Sequence, residues 1–199
     1  MQKIDHHEIG VTWVHGEIQD GDSLAVAIVG SRKASLHGLK RAFRLGKELG
    51  EAGVCVVSGL AKGIDGEAHS GALSGGGRTL AVLGTGLNHI YPACHKSLAL
   101  QVTSSGALLS PFEPSFTGAS WSFPSRNKII SQLSQVLVVV EAGEKSGTQS
   151  ALRAARRLRR PVGLLQSLVS SAPWAAHLAE EDGFFIVNST ADILERLES

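Results

Sequence analysis

With 199 residues and 43% hydrophobic content, the chain is long enough for one domain with a well-buried core. Twenty-three glycines against 5% aromatics point to tight turns after short strands and away from an aromatic-rich β-sandwich. A formal net charge of +1 excludes a uniformly basic duplex coater, and two cysteines exclude a disulfide framework.

Residues 1–23 read as an N-terminal extension with a short extra strand around Val11 to Val14. Its polar start lacks the basic-then-apolar order of a signal peptide, and no apolar run reaches bilayer length, so the expected location is cytoplasmic. The core, residues 24–165, opens on the apolar run Ala25 to Val29. Leu36, Leu39, Phe43, Leu45 and Leu49 then recur at helical spacing up to Gly53. Further apolar runs follow at Val54 to Val57, Thr79 to Leu83, Ala107 to Leu109 and Val136 to Val140. A helix pattern on Ala151, Ala154, Ala155 and Leu158 precedes the last core run, Pro161 to Leu165. None of these runs alternates with polar residues, as expected of strands covered on both faces. The tail, residues 166–199, predicts a helix near Pro173 to Glu181, a strand from Phe184 to Val187 and a helix after Asn188-Ser189-Thr190. The fold class is therefore α/β: an extended Rossmann-like, doubly wound, mostly parallel sheet with helices on both faces, in a single domain.

Ligands of such sheets bind beyond the carboxyl ends of the strands. The turns there combine glycine with hydroxyl and basic residues: Gly30-Ser31-Arg32, then Ser58-Gly59-Leu60-Ala61-Lys62-Gly63, then Gly84-Thr85-Gly86, then Lys145-Ser146-Gly147-Thr148. Glycine allows close backbone approach, helix starts present free N–H groups, and Arg32 and Lys62 add charge. One such turn means only a tight connection. Several on one edge predict a phosphate-binding edge. The Walker A loop and a complete dinucleotide fingerprint are both absent, so no nucleotide cofactor is expected, and no metal set is seen. His89 and His95 near Cys94 read as a loop cluster.

Five blocks in order resemble the DNA-processing-A (DprA/Smf) family. They are Val29-Gly30-Ser31-Arg32; Ser58 to Asp65 with Ala68-His69; Gly77 to Gly86 with Tyr91-Pro92; Phe123 to Ile130; and Val139 to Ala142 with Lys145 to Thr148. The resemblance implies single-stranded DNA held on the glycine-rich edge, a homodimer, and assistance to a RecA-type recombinase. It carries DNA contacts over to Ser31, Arg32, Lys62, Arg126 and Asn127. Gly30, Ser58, Gly59, Gly63, Gly84, Lys128, Ser146, Gly147 and Thr148 complete the expected phosphate-binding set.

The residues themselves add detail. Arg126 and Asn127 are expected to start a helix whose N–H groups join the anion site. Trp121 and Phe123 either stack on unpaired bases or plug the sheet. Asp65, His69 and Glu141 are expected to be structural, with Asp65 capping a helix and bonding His69.

Lys62 and Lys128 stand where the family usually has arginine, and Leu164-Leu165-Gln166 replaces its usual Val-Pro-Gly. The family's helical and winged-helix accessory domains are not expected within these 199 residues. The main rival is a nucleotide-binding sensor or a nucleoside-phosphate hydrolase of the same superfamily. Ala151 stands where that hydrolase's catalytic glutamate would be, so no enzyme activity is expected. Arg153, Arg156, Arg157 and Arg160, at i, i+3, i+4 and i+7, form either a solvated helix side or a surface for a backbone or an acidic partner.

Overall fold

The computed structural model describes residues 1–6 and 9–197. In chain order the elements are β1 (Gln2–His6), β2 (Gly10–Gly16), β3 (Ala25–Val29), α1 (Leu36–Glu51), β4 (Cys55–Ser58), α2 (Ile64–Ser74) and β5 (Thr79–Val82). They continue with α3 (Lys96–Ser105), β6 (Gly106–Ser110), α4 (Ser122–Gln132), β7 (Val136–Val139) and α5 (Thr148–Arg157). The chain closes with β8 (Val162–Leu165), α6 (Gln166–Ser171), α7 (Pro173–Leu178), β9 (Phe184–Val187) and α8 (Thr190–Leu194).

The strands form one sheet in the order β1-β2-β6-β5-β4-β3-β7-β8-β9. From β6 to β9 every neighbour is parallel, whereas β2 pairs antiparallel with both β1 and β6. Ala25, Ala27 and Val29 of β3 point to a core shared with Ile129 and Ile130 of α4 and Leu152 and Ala155 of α5. Val26 and Ile28 point the other way, to Ala42, Leu45 and Leu49 of α1 and Ala68 and Ala72 of α2. That period of two, with both faces apolar, is why the strand sequences read as unbroken hydrophobic runs. Each buried Leu or Ile contributes about 1.5–3 kcal/mol of apolar transfer.

The α1 helix begins where Ser35 accepts the Gly38 N–H at 3.1 Å. The Glu141 carboxylate at the end of β7 in turn accepts the Ser35 N–H at 3.0 Å and its hydroxyl at 2.6 Å. Glu141 thus ties the start of α1 to the neighbouring strand.

Several elements differ from the sequence-based expectation. Residues 1–23 contribute two strands to the sheet, with Trp13 of β2 paired to Ser110 of β6. β1 has no apolar run to reveal it, because it is a mostly exposed edge strand. The expected helix from Pro173 to Glu181 is the second of two short helices. α6 starts directly at Gln166 and stops at Ala172, where the ring of Pro173 forces extended backbone. α3 buries only Ala99 and Val102, too few for a periodic signal. The arginine face also breaks up: α5 ends at Arg157, Arg159 adopts φ +55°, and Arg160 lies beyond the helix. Among the described residues no helix is long and apolar enough to cross a membrane.

Candidate nucleic-acid interface

β3 lies beside β4 on one side and β7 on the other. The helices that follow β3 and β7 cover opposite faces of the sheet. Their starts therefore diverge at the carboxyl ends and leave a crevice, as doubly wound sheets do where the strand order reverses. The crevice measures ≈ 560 Å³. Gly30, Ser31, Arg32, Phe123, Arg126, Asn127, Ser146, Gly147 and Thr148 line it. A smaller cavity of ≈ 130 Å³ adjoins it and adds Gly59 and Lys62. Ser58, Gly63, Gly84 and Lys128 line neither.

The rim is open and cationic. Arg32, Lys33 and Lys62 are exposed, and none has a carboxylate partner among the described residues. The Arg32 guanidinium rests on the Phe123 ring, 5.4 Å from its centroid, which restrains the side chain without neutralising it. Phe123 lies 5.5 Å from the ring of Tyr91, itself 55% exposed. Phe123 is half-buried, its ring packed on Gly84 just past β5 while it also lines the crevice, so it stands at the rim and covers the sheet end beneath it. Trp121 is 59% exposed and packs edge-on against Phe112 at 5.6 Å. Across the crevice, the Ser146 hydroxyl is buried without a hydrogen-bond partner. No backbone acceptor among the described residues takes the N–H of Gly147 or Thr148 at the start of α5. These are the donors a phosphate oxygen would fill.

The floor is closed, and its polar groups are engaged from within apart from His69 Nε2, which is buried without a partner among the described residues. α4 starts at Ser122, so Arg126 and Asn127 sit a full turn inside the helix and its free N–H groups lie earlier than expected. Arg126 is buried, donates to the carbonyls of Gly59 and Val82, and lies 3.8 Å from the Asp65 carboxylate. Burial pushes its guanidinium down to about 10, still charged at neutral pH. Burial likewise raises the Asp65 carboxyl, against the pull of Arg126 and of the Ala61 and Gly59 N–H groups. Asn127 donates to Ser150 Oγ at 2.6 Å and accepts from Arg126 Nε at 2.9 Å, bracing the α5 start.

His69 does not bond Asp65. Its Nδ1 lies 2.7 Å from the Thr79 hydroxyl, which itself donates to Val56 O, so Nδ1 carries the proton. Burial first, then Arg126 and His95, lowers the imidazole to about 3. Ser58 is also structural, its hydroxyl donating to Ile28 O at 2.6 Å.

Two glycines permit this floor. A Cβ at Gly59 would collide with the Arg126 guanidinium. Gly63, at φ +79°, lets the turn before α2 touch the Ser31 carbonyl. Leu60 between them also adopts positive φ, at 56°. Lys33 and Tyr91 were absent from the sequence-derived set. The adjacency of Lys33 to Arg32 and the Tyr91-Pro92 pair were the available signals.

The chain matches the family described as DNA recombination-mediator protein A over residues 1–198. It belongs to that family. It is 38% identical to Protein Smf of Escherichia coli over 95% of this chain and 51% of that protein. It is 36% identical to DNA processing protein DprA of Streptococcus pneumoniae over 87% of this chain and 61% of that protein. The chain thus spans about half to three-fifths of these curated relatives. The solved Streptococcus pneumoniae structure superposes with TM-score 0.81 at 33% identity, covering 94% of this chain and 66% of that one. DNA processing protein A of Helicobacter pylori, whose structure was described for its single-stranded DNA binding mode, gives TM-score 0.84 at 26% identity. It covers 94% of this chain and 86% of that one. Molybdenum-cofactor carrier proteins share the fold at TM-scores near 0.61 and identities of 20–22%. In this DNA processing family member, the crevice wall carries Ala151, buried.

Proposed function

We propose that the crevice binds the sugar-phosphate backbone of single-stranded DNA and does no chemistry on it. The observation that carries this reading is the set of cations without a carboxylate partner among the described residues: Arg32 and Lys33 share the crevice with the open start of α5, and Lys62 lines the adjoining cavity. Phosphate oxygens sit against the Ser146 hydroxyl and the Gly147 and Thr148 N–H groups. Bases turn outward to the Tyr91 and Phe123 rings, which stack on any base and give no sequence preference. Single strands are favoured because only they expose base faces.

The absence of chemistry rests on the carboxylates. Among the described residues Asp65 is the one acid lining either cavity, and it lies against Arg126. Assistance to a RecA-type recombinase, homodimer formation and a cytoplasmic location belong to the same reading. Their support is family membership.

The test is fluorescence anisotropy of a labelled oligo-dT over a salt series, with a duplex control and the Arg32→Ala variant. The expected result is salt-sensitive binding that exceeds the duplex and falls at least about tenfold in the variant. No binding at low salt would overturn the reading and turn attention to a small nucleotide ligand.

A further inference from the structure

The outer face of α1 carries His37, Lys40, Arg41 and Arg44, at i, i+3, i+4 and i+7, all exposed. It begins four residues after Lys33, which lines the crevice. Its inner face, Ala42, Leu45 and Leu49, is buried against the sheet, so the basic stripe faces solvent. Arg41 and Arg44 then form one wall of a separate cleft of ≈ 310 Å³. The other wall is Leu165 and Gln166 at the end of β8, and Val187 and Asn188 at the end of β9. These are also carboxyl strand ends. The order β3-β7-β8 puts this cleft only two strand spacings, ~10 Å, along the same edge from the crevice.

The acids beside the stripe are already engaged. Glu48 pairs with Arg44 at 3.4 Å and accepts the Thr190 hydroxyl. Asp192 accepts the N–H groups of Asn188 and Ser189 at 2.7 and 2.8 Å. Glu141 caps Ser35. Lys33, Lys40 and Arg41 have no ionic partner among the described residues. Around α5 the pattern is mixed: Arg156 is held by Glu181 at 2.9 Å and lies over Phe184, Arg160, beyond the helix, reaches toward Gln132 O, and Arg153 and Arg157 are exposed.

We propose that α1 and the cleft at its side form a second anion track, which takes the phosphodiester backbone of the single strand where it leaves the crevice. This rests on the crevice reading above. From Leu36 to Arg44 the helix rises ~12 Å, room for about two or three successive phosphates. Arg41 supplies the unpaired charge of the cleft, with Gln166 and Asn188 as neutral hydrogen-bonding groups. The occupant is a polyanion continuous with the crevice ligand, because the cations continue from Lys33 without an intervening unmatched acid.

The test compares a short oligo-dT of about six nucleotides, confined to the crevice, with one of about twenty. Both are titrated by anisotropy over a salt series against wild type and the Lys40→Ala/Arg41→Ala double variant. In wild type the long strand binds more tightly, with a salt slope steeper by about 0.7 per added phosphate, ~1.4–2.1 for two or three. The double variant loses that increment for the long strand and binds the short one as wild type does. Normal short-strand binding with an unchanged long-strand slope in the variant would overturn the track and leave the crevice reading intact. Binding of neither length by wild type would overturn both. Thermal melting of the variant, expected unchanged for two exposed residues, separates lost contacts from lost fold.

Discussion

Arg32 and Arg126 come from two blocks of the same sequence pattern and line the same crevice, yet they do opposite things. Arg32 is exposed, has no ion-pair partner among the described residues and rests on the Phe123 ring. Arg126 is buried beneath the glycine turn, with two carbonyls and a carboxylate on its guanidinium. A cation facing water keeps its charge available to a ligand. A cation whose donors are filled from within holds loops together. The difference generalises to rim and floor: Arg32, Lys62 and the α5 start are open, whereas Ser58, Asp65, His69 and Arg126 are satisfied or sealed.

The largest effect expected from this contrast is at the floor. Arg126→Ala leaves the Asp65 carboxylate buried without its cation and two carbonyls without donors. The expected loss is about 3–5 kcal/mol in chemical denaturation. An unchanged denaturation midpoint would erase the distinction between floor and rim.

His69 gives the floor an acid limit. Its folded value of about 3 lies below the unfolded value near 6.5, so the unfolded chain binds the proton first. Its contribution is complete above pH ~6.5 and declines as pH falls toward 3, by at most about 1.4 kcal/mol per pH unit. Asp65, raised by burial, works in the opposite sense. The comparison is therefore the stability–pH curve of wild type against His69→Leu, with the variant flatter between pH 6.5 and 3.

Glu141→Ala removes the cap on Ser35 and should cost about 1 kcal/mol. It should also weaken DNA binding modestly, since the same contact orders the turn that carries Arg32. Measuring both quantities on one variant asks whether that turn is preorganised.

The smallest expected stability effect belongs to the rim. Arg32→Ala should melt as wild type does while binding falls at least about tenfold. A large drop in its melting temperature would place Arg32 with Arg126.

Much of the architecture was legible because buried parallel strands must be apolar on both sides. The core strands from Ala25 to Leu165, the strand Phe184–Val187 and helix α1 stand close to where the sequence puts them. Elements with little buried surface escaped: β1 at the exposed edge, and α3 with two buried residues. The arginine face of α5 misled for a local reason, since the backbone at Arg159 turns left-handed before Arg160.

By itself the sequence determined the fold class, the carboxyl-edge location of the glycine turns and the kinship with DNA processing proteins. All three follow from local chemistry repeated in order. Only the tertiary structure decided which basic residues are free. Arg32 and Arg126 stand next to similar small and polar residues in the chain, and burial is set by what folds over them from far away. The same holds for His69, whose partner is Thr79 on a neighbouring strand and not Asp65 on its own helix. Helical spacing lists the neighbours a side chain could reach, and packing across the sheet selects among them.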